Sequence, residues 1–228
     1  KTVHFLESGD YLNVDIFGLK KAKDNRLIGP LGSVPFHIEP NDVLDAYVII
    51  QNKNIGHSLI PEVRDLYQAW VEFLVKDASG RVIYHSGYLK PDGTLDGRAH
   101  SFTSRPVDQK GEFVDNHKVW TIHASAYDNT IQSGRSVLVR YRFRIPADVK
   151  GPITLTAKVN YRHFRKSYVD NVFGKDHPRY PIALLALRSR TLNIGDNNPV
   201  SPEPHDNPDW MRWNNLGIAY LDAFQYVD

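Results

Sequence analysis

Ten histidines are the main chemical resource of this 228-residue sequence, which contains no cysteine. The absence of thiols excludes disulfides, thiolate metal sites, a nucleophilic cysteine and covalent haem attachment through C-x-x-C-H within the chain. The histidines stand at 4, 37, 57, 85, 100, 117, 123, 163, 177 and 205, scattered instead of grouped at ligand spacing. Zinc needs three or four converging ligands, and only His117 and His123 lie close together; they read as a loop residue and a strand residue. Two others sit in loops of small residues, His57 in Asn54-Ile-Gly-His57-Ser-Leu-Ile-Pro61 and His100 in Gly97-Arg-Ala-His100-Ser-Phe102. The glycine before His57 and the proline after it predict a tight loop. An imidazole held there through one nitrogen by a carbonyl or carboxylate offers the other nitrogen to a metal such as iron. His57 is therefore the first candidate ligand and His100 the second, although either imidazole taken alone is more ordinarily a hydrogen-bonded loop residue.

Arg140, Arg142 and Arg144 alternate along one stretch, with Arg162, Arg165 and Lys166 further on. Such forks suit carboxylates or phosphates. The same pattern also describes a solvated sheet face whose charges discourage edge-to-edge pairing. A formal net charge of +2 provides no global field for nucleic acid or membrane surfaces, so the basic-aromatic run from Tyr161 to Lys166 is not read as a nucleic-acid site. Asp92-Gly-Thr-Leu-Asp96-Gly97 resembles a calcium loop in composition but lacks the remaining ligands. There is no G-x-S-x-G, H-E-x-x-H, Walker A or G-x-G-x-x-G pattern and no readable nucleophile–base pair, so the expectation is a non-enzyme.

These residues need a scaffold, and period-two alternation predicts one built of strands. Short strands are expected over 2–6 and 11–17, followed by a solvated loop over 20–26. Residues 43–51 are apolar enough for a central strand with both faces covered. A hairpin is expected between 70–76 and 81–85 around Asp77-Ala-Ser-Gly80, and a further strand over 119–127. In the best strands, 136–145 and 153–163, Val139, Tyr141, Phe143, Leu155, Ala157, Val159 and Tyr161 form the core-facing set. A short helix ending at Gly174 and a last strand over 182–194 complete an all-β, immunoglobulin-like antiparallel sandwich over 1–194. Residues 195–208 read as a Pro-rich linker. Over 209–228 the period changes to 3.6, with Asn207 and Pro208 placed to start a helix. Trp210, Trp213, Leu216, Gly217, Tyr220, Leu221 and Phe224 fall on its apolar stripe, and Trp213-x-x-Leu216-Gly217-x-x-Tyr220 satisfies the start of a tetratricopeptide repeat. A start at Lys1 without an apolar leader, and an end after one repeat helix, suggest an excised portion of a longer chain. No apolar run approaches the ~20 residues of a membrane helix.

Gly56-His57, Asp65, Trp70, Val75, Asp77 and Gly80, continued by Asp92-Gly93, Ala99-His100, Val139-Arg-Tyr-x-Phe143 and Tyr161-Arg162, resemble the β-sandwich module that accompanies bacterial multihaem c-type cytochromes. Leu59-Ile-Pro61-Glu62 replaces the Phe-Pro-Thr-Gly of that family's loop. The resemblance implies a structural and docking module of an electron-transfer assembly in the periplasm or outside the cell. It further implies a haem c carried by another segment or chain, with His57 or His100 as axial ligand and Arg140 and Arg142 as partners of haem propionates. Partners would be a multihaem cytochrome segment or subunit and, through the tetratricopeptide repeats, other proteins. The alternative is an extracellular adhesion or glycan-binding sandwich with Trp120 and Tyr127 as a platform.

Overall fold

The computed structural model describes residues 2–115, 117–149, 151–195, 197–198 and 207–224. Most of the linker expected over 195–208 lies outside them. In chain order the elements are α1 (Thr2–Ser8), β1 (Leu12–Lys21), β2 (Leu27–Ile28), β3 (Phe36–His37), β4 (Val43–Asn52), β5 (Gln68–Asp77), β6 (Val82–Ser86), β7 (Ser101–Phe102), β8 (Ser104–Val107), β9 (Ala124–Asp128), β10 (Ser136–Arg144), β11 (Ile153–Arg162), α2 (Lys166–Phe173), β12 (Ala183–Leu192), β13 (Asn197–Asn198) and α3 (Asp209–Asp222). A first sheet has the order β10-β4-β1-β2 and a second the order β12-β11-β5-β6, with β7 also on β5. Their long pairings are antiparallel. The expected antiparallel sandwich is therefore present, with three helices attached.

Alternation explains the layers. Val139, Tyr141 and Phe143 are buried while Arg140, Arg142 and Arg144 are exposed. Leu155, Ala157 and Val159 are buried on β11 and Tyr161 is half-buried against the core, so both expected core sets face inward. They do so from opposite sheets, because the loop between β10 and β11 crosses the sandwich instead of closing a hairpin. The Phe73 ring of β5 stacks on Tyr141 of β10 with centroids 4.4 Å apart, joining the sheets through offset aromatic packing. The strands β5 and β6 form the expected hairpin. Arg162 and Arg165 do not share the β10 arginine face: Arg162 is buried on the other sheet, donating to Gln68 Oε1 at 2.6 Å and to the Gly93 carbonyl at 2.8 Å.

Three local expectations are corrected. Residues 2–8 form a helix instead of a strand; its Val3 and Leu6 pack on the core, a three-residue spacing that suits a helical turn. Residues 119–127 divide into a 3-10 turn (Val119–Thr121) and β9. Lys21, placed in a solvated loop by its sequence, ends β1 buried and ion-paired to Asp42 at 2.8 Å.

The strand β4 is central and covered on both faces, as its apolar run requires. Its outer face carries Tyr47 and Ile49, which cluster with Phe17 and Leu216 beneath α3. A bulge at Phe17 turns that side chain outward, and Gly18 accommodates it: a Cβ there would lie 2.7 Å from the Ile28 carbonyl oxygen. The helix meets the sheet through Arg212, Asn215, Leu216 and Ala219, spaced i, i+3, i+4 and i+7. The expected stripe is only partly the buried one. Leu216 is covered, whereas Trp210, Trp213, Leu221 and Phe224 are 67%, 47%, 55% and 79% exposed. A charge decides the rotation: Arg212 forms two hydrogen bonds to Asp15 of β1, at 2.7 and 2.9 Å, with side-chain exposures of 1% and 5%. Pro208 precedes the first helical residue, and Asn207 makes no capping hydrogen bond.

Candidate functional site

The chain passes from the first sheet to the second between β4 and β5, and His57 lies on that crossing. Buried Asn52, at the end of β4, holds the crossing loop in place. Its Nδ2 donates to the carbonyls of His57 at 2.9 Å and Ile131 at 3.1 Å, and its Oδ1 accepts the Ile55 amide at 3.1 Å. Leu59 and Ile131 exchange both backbone hydrogen bonds, at 2.8 and 2.9 Å. The amides of Lys53 and Asn54 donate to the Tyr11 carbonyl. Glycine and proline allow the turn, but Asn52 and Ile131 fix it.

His57 is exposed, and its Nδ1 lies 2.9 Å from the Ser58 carbonyl. A carbonyl only accepts, so Nδ1 carries the proton in the neutral ring and Nε2 carries the lone pair. The imidazole lines an apolar groove of about 700 Å³ together with Leu6 of α1, Ile60 and Pro61 of the crossing loop, Tyr161 of β11 and Leu185 of β12. His163, just past β11, lines the same groove. Sequence reasoning passed over His163 because it is embedded in a basic-aromatic run. The available signal was its position one residue beyond the core-facing strand that ends at the crossing loop. Among the described residues, no three His, Asp or Glu side chains are arranged to hold a metal ion. A metal at His57 would therefore have to arrive with other ligands.

The structure separates the remaining candidates. His100 lies in the loop before β7, remote in role from the groove, and lines two polar clefts instead. Arg140 stands over the rings of Tyr47 and Tyr220 at 5.1 and 5.6 Å. Arg142 is bidentate to Asp45 on the neighbouring strand, at 2.7 and 2.8 Å. Neither arginine lines the His57 groove, whose lining contains no Lys or Arg among the described residues. The expected pairing of these guanidiniums with the propionates of a haem at His57 is therefore not what the geometry provides. Trp120 is 79% exposed on its 3-10 turn, and Tyr127 is exposed on β9.

No family profile matches the chain, and no curated protein matches it in sequence. A solved structure does match: a penta-haem cytochrome c552 from Thermochromatium tepidum, with a TM-score of 0.56, at 17% identity over 83% of this chain and 41% of that one. The fold resembles part of a multihaem cytochrome c. The chain spans less than half the length of that cytochrome. It has no cysteine, so it attaches no haem covalently. The likeness does not show a tetratricopeptide repeat, and α3 is one helix, with open space where a Cβ on Gly217 would point. No helix among the described residues is long and apolar enough to cross a membrane.

The residues around His57 fit a haem edge borne by another segment. The ring has the tautomer that iron ligation needs, a backbone carbonyl orients it, and the groove walls are apolar. Propionates there would face solvent or a partner's cations, since the described residues of the groove supply no Lys or Arg.

His100 behaves differently. Burial pushes its pKa from the ordinary 6.5 down to about 4, so the folded protein holds it neutral. Below pH 6.5 the unfolded chain binds a proton there that the folded chain refuses. The stability tied to this residue is thus complete above 6.5 and lost as pH falls toward 4. Urea unfolding at pH 7 and pH 4.5 should show a smaller acid loss for His100→Gln than for the wild type. Equal losses would show that His100 contributes nothing to the acid slope.

Proposed function

We propose that this protein is a non-enzymatic docking module of a multihaem cytochrome electron-transfer assembly in the periplasm or outside the cell. The observation that carries the proposal is the apolar groove at the sheet crossing, lined by His57 with its Nδ1 held on the Ser58 carbonyl. When bound, a haem c brought by another segment or chain would supply the redox chemistry. This chain's part is to bind and orient. Ile60, Pro61, Tyr161 and Leu185 would exclude water from the edge of such a group, and His57 would hold it through Nε2. His163 is the second imidazole within the groove and a candidate hydrogen-bond partner for a propionate. The exposed Trp210, Trp213, Leu221 and Phe224 of α3 form a separate contact surface for further helices of repeat type. The sandwich likeness to the penta-haem cytochrome supports the assignment to such an assembly by fold alone.

Purification of the natively expressed protein under mild conditions tests this reading. A haem-containing polypeptide with a Soret band should co-purify, and the full gene or its neighbours should encode C-x-x-C-H motifs. A haem-free preparation from cells that make no cytochrome partner would remove it. The glycan-binding alternative rests on exposed Trp120 and predicts instead that saccharides quench tryptophan fluorescence.

A further inference from the structure

A second cavity, away from the His57 groove, opens between the sheets and has a volume of about 590 Å³. It is polar where the first is apolar. Three buried side-chain atoms among its lining residues have no hydrogen-bond partner among the described residues: His100 Nε2, Tyr141 Oη and Arg165 Nε. Buried polar atoms are almost always satisfied, and leaving one unpaired costs about 1–3 kcal/mol, so three around one space call for a common partner.

The charge balance says which sort of partner. Arg98, Arg105 and Arg165 line the cavity, and Asp96 is the lining carboxylate. Asp96 is already occupied: it accepts the amides of Gly87 and Arg98, each at 3.1 Å, and lies 3.8 Å from the Arg98 guanidinium. Arg105 pairs with Asp115 at 2.9 Å. Arg165 has no carboxylate partner among the described residues; a terminal nitrogen of its guanidinium donates to the Thr103 hydroxyl, leaving Nε without an acceptor. Burial, and secondly the nearby Arg105, push the Arg165 pKa below its ordinary value, although Asp115 and Asp65 pull the other way. Tyr141 and Arg165 contribute O–H and N–H donors, and His100 can donate from the imidazole nitrogen that holds its proton.

A half-buried guanidinium with no direct carboxylate partner among the described residues, two further arginines in the lining and an occupied carboxylate together select an anion with several oxygens. We propose that this cleft binds a small free oxyanion of the phosphate or dicarboxylate class, with Arg165 as the principal charged contact and Tyr141 and His100 as neutral hydrogen-bonding groups. The cavity is larger than one such ion, so bridging waters fill the remainder. The site does not depend on whether the His57 groove docks a haem.

Titration calorimetry of the purified chain with inorganic phosphate and with succinate tests the proposal. Saturable binding of at least one is expected at millimolar or lower concentration, accompanied by a rise in melting temperature. Arg165→Gln should weaken it by about tenfold or more, since a hydrogen bond to a charged group is lost. Tyr141→Phe should weaken it several-fold while leaving the unliganded protein as stable as wild type or more so, because the deleted hydroxyl has no partner. If Arg165→Gln does not fold, the Tyr141→Phe result decides. Absence of binding by both anions, or wild-type affinity in a folded variant of either residue, overturns the site and leaves a water-filled cleft.

Discussion

Replacing Arg212 by alanine is expected to destabilise the protein by about 3–5 kcal/mol, because it strands the Asp15 carboxylate inside the molecule without its counter-ion. Arg212 is nearly inaccessible, bidentate to Asp15, and also donates to the Leu31 carbonyl at 3.2 Å. Its guanidinium carbon lies 5.8 Å from the Phe17 ring centroid, so truncation also uncovers the outer aromatic cluster. Asp15→Ala should cost a similar amount. The joint replacement Asp15→Leu with Arg212→Met should recover most of the loss, since an apolar pair of similar volume has no ion to desolvate. Urea unfolding of the three variants measures this. A loss below about 1 kcal/mol for Arg212→Ala would contradict the buried pair and return α3 to the status of a loosely attached helix.

Asn52→Leu is expected to cost about 2–4 kcal/mol and to release the crossing loop. Leucine nearly matches the volume but leaves the His57 carbonyl and the Ile55 amide without their partner and the Ile131 carbonyl with the Leu59 amide alone, and each buried unpaired group costs about 1–3 kcal/mol. Some of that cost is recovered if the loop opens to water. Hydrogen exchange should then quicken at Ile55 and at Leu59, whose amide bonds to Ile131. Unchanged exchange at these amides would show that glycine and proline hold the His57 loop by themselves.

The fold was legible wherever burial follows a local period. Val139, Tyr141 and Phe143 alternate with arginines, and the apolar run 46–50 of β4 announced a strand covered on both sides. Legibility ended where distant residues decide the outcome. Nothing near Arg212 states that Asp15, 197 positions earlier, is buried beneath it, so the apolar stripe grouped Trp213 and Leu221 with Leu216 and left Arg212 out. Both tryptophans of the repeat-like stripe remain substantially exposed for that reason. The candidate site was partly legible. The small-residue context of His57 correctly marked a constrained loop, while its apolar groove depends on α1, β11 and β12 and has no local signature. His100 resembled His57 in sequence context, but the Tyr141 and Arg165 side chains that share its cavity come from strands and loops far along the chain. Spacing alone therefore gave two equivalent histidines where tertiary structure made one exposed and oriented, the other covered and neutral.

The proposed docking groove is apolar and the proposed anion cleft is polar. They are lined by different residues, so a variant in one should leave the other's binding intact. The measurement that bears most directly on the central claim is the low-spin absorption and electron paramagnetic resonance spectrum of the natively assembled complex, compared between wild type and His57→Ala with His100→Gln as control. The account predicts that His57→Ala alters the signature of one haem and that His100→Gln alters none. Identical spectra for wild type and His57→Ala, in a complex that still assembles, would contradict the ligand role and reduce His57 to a turn residue.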